Sequence, residues 1–182
     1  HTIESHDTAS LQTDPHIWLS THNAAAISEH ISKQLIAHDA SNTAKYQANL
    51  QQLLAKIKQT EAFIKATLSD ARQPFIAYHD AFQYFENENA LNYVAAINSH
   101  DDTSISLKHM REIKSRIENE KITCLVYQPP KPAIIDALAQ QHRTMNVAML
   151  DALGITVDNS ETAWFELMHR LAENFKQCLT KK

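Results

Sequence analysis

The sequence predicts an α/β fold: a C-terminal lobe with a four-stranded parallel sheet flanked by helices, approached through one long helix. Three observations carry this expectation. From residue 73 onward, short apolar runs bounded by polar turns alternate with stretches of helical period, which implies parallel strands joined by right-handed crossovers. Residues 43–70 hold neither Gly nor Pro and carry the strongest helical stripe in the chain. Gly154 is the single glycine in 182 residues, which disfavours a Gly-rich all-β fold.

Residues 1–13 are polar and mixed, with His1, Glu4, His6 and Asp7, and read as a loop or tail. Ser20 is placed to cap a helix running to about His38, with Ala24, Ile27, Ile31 and Leu35 on one face. Asp39-Ala40-Ser41-Asn42 breaks it. Tyr46, Leu50, Leu53, Leu54, Ile57, Ile64 and Leu68 then share a stripe on a helix of about 40 Å at 1.5 Å per residue, long enough to brace two lobes. Phe75-Ile76-Ala77-Tyr78 is a first buried strand, and Asp80 is placed to cap a helix through about Asn89. Residues 91–97 form a second strand candidate, followed by the polar loop Asn98-Ser99-His100-Asp101-Asp102-Thr103. Ser106 caps a helix with Leu107, Met110, Ile113 and Ile117 inward. Residues 122–127 are a third strand, 128–132 a turn, 133–141 a helix and 145–150 a fourth strand. The last helix runs from about Ser160 to Leu179.

Bulk properties exclude some functions. A net charge of -4 at pH 7 argues against a nucleic-acid partner, which calls for a basic face. No apolar stretch approaches the length of a membrane span. The opening His1-Thr2-Ile3-Glu4 has no basic flank or apolar core and is expected for a processed or cut end. Cys124 lies in a strand and Cys178 in the last helix; spacing alone leaves open whether they are buried thiols or a disulfide.

Parallel α/β sheets bind ligands beyond the carboxyl ends of their strands. His79 follows one strand and Asp151 another, so both fall at the same rim. His16, in Asp14-Pro15-His16-Ile17-Trp18, lies upstream of the long helix and would approach from the other side, with Trp18 packing beside it. Two imidazoles and a carboxylate make most of a tetrahedral zinc shell. Each taken alone is ordinarily a packed or solvated side chain; convergence is the question. Asp80 caps a helix and could also orient a ligand from behind. His22, His30 and His38 recur every eight residues without sharing a face and read as solvated. His100 lies in a polar loop, and His109, His142 and His169 read as surface positions on helices. There is no His-Glu-x-x-His, Gly-x-Ser-x-Gly, Gly-rich phosphate loop or Cys-x-x-Cys.

Three stretches in order resemble a known family: Asp14-Pro15-His16-Ile17-Trp18-Leu19-Ser20, Tyr78-His79-Asp80-Ala81-Phe82-Gln83-Tyr84-Phe85 and Met149-Leu150-Asp151-Ala152-Leu153-Gly154. They are similar to the metal-binding cluster of the solute-binding proteins of ABC importers, and most of all to the periplasmic zinc-binding, ZnuA-like branch. The resemblance implies a non-enzymatic protein of two lobes joined by a rigid helix. Residues 1–40 would be a remnant of the N-terminal lobe, 41–72 the linker helix and 73–182 the C-terminal lobe. It implies that His16 and His79 are the family's second and third metal histidines, with His rather than Glu at 79 favouring zinc over manganese. Asp151 matches the carboxylate that completes or borders the shell, and Cys124 and Cys178 match a disulfide of zinc-type members. The family's first histidine has no counterpart here, so the metal site would be partial. Ala90 and Ala152 depart from the usual Gly and Pro. The function implied is zinc capture in the periplasm and delivery to an ABC permease. Two rivals stand beside it: a metal-independent module that self-associates through uncovered apolar surface, and a zinc hydrolase with Asp80 as base.

Overall fold

The computed structural model describes residues 14–98 and 105–180. The expectations for His1, His6 and His100 lie outside these residues. After a short 3-10 turn at Ile17–Leu19, the helices are α1 (Thr21–His38), α2 (Thr43–Thr67), α3 (Gln83–Asn89), α4 (Leu107–Asn119), α5 (Ala133–Gln141) and α6 (Ala163–Thr180). The strands are β1 (Pro74–His79), β2 (Asn92–Asn98), β3 (Cys124–Tyr127) and β4 (Asn146–Met149). They form one sheet in the order β2-β1-β3-β4, parallel throughout. Every carboxyl end therefore lies on one rim, as the alternation of strands and helices requires.

Each face of the sheet has its own core. Phe75, Ala77, Cys124 and Val126 point to one side, where α2, α3, α6 and the residues adjoining them contribute Ile64, Leu68, Phe82, Phe85, Met168, Leu171 and Phe175. Ile76 and Leu125 point to the other, toward Ile113 and Ile117 of α4 and Ile135 and Leu138 of α5. The alternation along β1 and β3 is the period-two pleat of a sheet buried on both faces. Cys124 and Cys178 form a disulfide with S–S 2.03 Å, fastening α6 to β3.

Ser20 and Ser106 cap as expected: their hydroxyls accept from the Asn23 and His109 amides at 2.8 and 3.1 Å. Two local expectations change, and the structure adds one finding on α1. Asp80 does not cap α3. Ala81 and Phe82 dive into the core, so the helix starts only at Gln83, and Asp80 accepts from the Gln83 side chain at 3.1 Å instead. The last helix starts at Ala163 rather than Ser160. Among the described residues the α1 face with Ile27, Ile31 and Leu35 is exposed, and Ile31 is 51% accessible, because α1 packs chiefly along α2.

Candidate metal centre

The rim is built by strand ends and one crossing segment. His79 is the last residue of β1, in register with Asn98 at the end of β2. Asp151 follows β4, which ends at Met149. Across this rim runs Asp14–Leu19, held by bonds from several elements. The Tyr84 hydroxyl of α3 donates to the Asp14 carbonyl at 3.2 Å. The Trp18 indole donates to the Ala152 carbonyl, and the Trp164 indole to the Trp18 carbonyl, both at 2.8 Å. Glu88 of α3 caps α1 from outside: its carboxylate accepts from the Thr21 amide and hydroxyl at 3.0 Å, the His22 amide at 3.2 Å and the Ser20 hydroxyl. An anion at a helix N-terminus also meets the positive end of the helix dipole.

These ties bring His16 to His79. Their ring centroids are 6.0 Å apart at an interplanar angle of 69°. Two imidazoles on one tetrahedral zinc, with bonds of about 2.0–2.1 Å, have ring centres about 5 Å apart, so the pair needs to close by about 1 Å. The Asp14 carboxylate accepts from the His16 backbone N–H at 2.9 Å and lies 2.6 Å from its Nδ1. With the proton on Nδ1, as this bond assigns it, Nε2 keeps a lone pair for a metal. Trp18 meets the His16 ring edge-on at 5.4 Å. Packing beside His16 is as expected; its indole bond to Ala152 is an added role.

Asp151 sits at the predicted rim, but its carboxylate turns into its own loop. Oδ1 accepts from the Leu153 and Gly154 amides at 3.2 and 2.8 Å. Oδ2 accepts from the Thr156 amide and hydroxyl at 2.6 and 2.8 Å. Gly154, at φ +74°, adopts the left-handed backbone that turns its N–H back to this carboxylate. Burial pushes the Asp151 carboxyl up, and the Thr156 and neighbouring amides with the Thr156 hydroxyl more than offset this, holding it below its ordinary value. Among the described residues, no three His, Cys, Asp or Glu side chains are gathered tightly enough to hold a metal ion.

Two acids close to His79 in the chain are withdrawn from solvent, Glu86 fully and Asp80 in part. Burial pushes the Glu86 carboxyl up to about 8, with the charges of Asp80 and Asp14 adding to the shift. Burial also raises Asp80, as does the charge of Asp14. The Tyr93 phenol is raised by burial and then by Asp80 and Glu86. Below about pH 8 Glu86 is therefore protonated and neutral, which leaves Asp14 and Asp80 as the acids that put negative charge near the rim.

The remaining histidines are mixed. His22, His30 and His38 are exposed, as expected. His109 is more than a surface residue, since its Nε2 lies 3.0 Å from the Ala96 carbonyl of β2. His169 stacks on Phe63 at 4.1 Å, joining α6 to α2. Sequence reasoning missed Asp14 as the partner of His16, although its position two residues upstream suits a local side-chain bond. Glu88 had no signal, because its partners lie 66 to 68 residues away.

Residues 1–178 match the family model described as ZnuA, zinc-uptake complex component A, periplasmic. The chain is 30% identical over 170 residues to the high-affinity zinc uptake system protein ZnuA of Haemophilus ducreyi, covering 92% of this chain and 54% of that protein. The Brucella suis protein of the same name is 26% identical, with 92% and 51% covered. A solved ZnuA structure superposes with TM-score 0.77 at 21% identity, over 92% of this chain and 60% of that one. The Streptococcus agalactiae laminin-binding adhesin Lmb gives 0.78 at 19% identity, over 92% and 63%. These superpositions show the shared fold, and the chain spans about half the length of the curated relatives it matches. No described helix is long and apolar enough to cross a membrane. Family model, relatives and fold agree: this chain belongs to the ZnuA family of zinc-uptake solute-binding proteins, which are transport proteins and not enzymes.

Proposed function

We propose that this chain captures zinc in the periplasm and passes it to an ABC-type import permease, using His16, His79 and Asp151 as donors. The observation that carries the reading is the meeting of His16 and His79, 63 positions apart in the sequence, with ring centroids 6.0 Å apart and His16 oriented by Asp14. Imidazole nitrogen suits zinc better than the harder manganese. The Asp80 carboxylate, next to His79 in the chain, adds negative charge beside the pair. Residues 1–40 belong to an N-terminal lobe, 41–72 serve as the linker helix and 73–182 as the metal-bearing lobe.

Two histidines and one carboxylate are one donor short of the usual tetrahedral shell. Zinc binding by this chain is therefore weaker than binding by a relative that supplies a further histidine. Calorimetric titration with zinc tests this. The expected result is a single weak site that disappears in His79→Ala; heats unchanged by that substitution would remove the histidine pair from the reading. The uncovered Ile27, Ile31 and Leu35 on α1 favour a second property, self-association of this chain through that face.

A further inference from the structure

A carboxylate offers about four lone-pair positions. On Asp151 all four are filled from within its own loop, by the amides of Leu153, Gly154 and Thr156 and by the Thr156 hydroxyl. A metal can therefore bind Asp151 only by displacing one of these donors. The three amides yield only if the backbone moves, and that backbone is anchored. The Ala152 carbonyl accepts from Trp18, and the Thr156 carbonyl accepts from the Arg170 guanidinium at 2.9 Å. The hydroxyl differs, because it leaves Oδ2 by turning about one side-chain bond. Thr156 is exposed and borders a cavity of about 240 Å³ with Asp151, Arg170 and Asn174, which gives the hydroxyl room to turn.

We propose that Thr156 is a positioning residue for zinc capture: its hydroxyl holds the place on Asp151 Oδ2 that the metal takes, and rotates away as zinc binds. This rests on reading Asp151 as a zinc ligand. The hydroxyl bond exists only in the metal-free state, so it opposes binding by whatever it stabilises there. Val at 156 keeps the branched shape and the amide but removes the hydroxyl. Hydrogen bonds to charged groups are strong enough that Thr156→Val is expected to bind zinc about tenfold more tightly. Thr156→Ser restores the donor and the original affinity.

The test is chelator competition for zinc at fixed pH with the parent, Thr156→Val, Thr156→Ser and Asp151→Ala, alongside the thermal midpoint of each metal-free protein. Support is tighter binding in Thr156→Val, recovery in Thr156→Ser and a lowered midpoint for metal-free Thr156→Val alone. A purely structural Thr156 would loosen the site and weaken binding, which overturns the proposal. Unchanged affinity in Thr156→Val with weakened binding in Asp151→Ala overturns it while leaving Asp151 a ligand. Parent-like binding in Asp151→Ala removes Asp151 from the shell and the role of Thr156 with it.

Discussion

Phe175 and Ile31 are both apolar residues on 18-residue helices, α6 and α1, yet they meet opposite surroundings. Phe175 is fully buried, with the rings of Phe75, Phe82 and Phe85 within 5.2 to 5.8 Å. Ile31 is 51% accessible. α6 lies on a sheet that supplies a continuous apolar floor, whereas among the described residues α1 packs chiefly along α2, with a polar clamp at its start. The lobe is thus held by apolar area, whereas the segment entering α1 combines one buried side chain, Leu19, with polar point contacts. Those contacts, through Tyr84, Glu88 and Trp164, are also what carry His16 to the rim. The segment that brings His16 is anchored by Leu19 in the core and oriented by bonds that single substitutions can remove.

The largest effect tests the apolar side of this contrast. Glu86 places a carboxyl 5% exposed within the lobe, with its pKa raised from 4.5 to about 8. Between these two values the folded protein holds a proton that the unfolded chain has released. Stability should therefore fall as pH rises through that window and level off above about 8. Glu86→Gln supplies the neutral form at every pH. It is expected to match the parent at pH 4 and exceed it by about 3–5 kcal/mol at pH 8.5. Urea unfolding at both pH values checks this, and parallel pH profiles for the two proteins would contradict it.

The next effect tests the polar side. Glu88→Gln keeps one acceptor but exchanges the other for an amide donor facing the α1 amides. The expected cost is about 1–2 kcal/mol, concentrated in α1 and the segment leading to it. Amide exchange should quicken in the first turn of α1 while β1 and β3 keep their protection. Equal loss of protection in the sheet would show that α1 and the lobe unfold as one unit.

Much of this arrangement was legible in the sequence, because period and position are local properties. Alternating elements placed the carboxyl ends of β1 and β4 on one rim, and His79 and Asp151 followed. Ser20 and Ser106 announced their helices by the chemistry of the cap. The late start of α3 was hidden because burial of Ala81 and Phe82 outweighed the capping preference of Asp80. The inward turn of the Asp151 carboxylate was hidden too, since it depends on Gly154 reversing the chain and on Thr156 meeting it. Cysteine spacing left two states open; the resemblance pointed to the bond between Cys124 and Cys178, which the fold contains. A helical stripe tells which residues share a face, and nothing in it tells whether a partner covers that face, so the exposure of α1 had to come from the structure.

That last point yields the smallest effect on stability and a clear one on association. Ile31 touches no core, so Ile31→Glu should change unfolding free energy by no more than about 0.5 kcal/mol. Its neighbours Ile27 and Leu35 lie one turn away on either side, so a charge at 31 falls in the middle of the apolar stripe. If copies of the chain meet through this stripe, they must desolvate that charge without a partner, and association weakens. Light scattering against concentration should show the parent forming larger species and Ile31→Glu remaining monomeric. Equal association by both proteins would place the contact elsewhere, and a strictly monomeric parent would mean that this face of α1 stays wet.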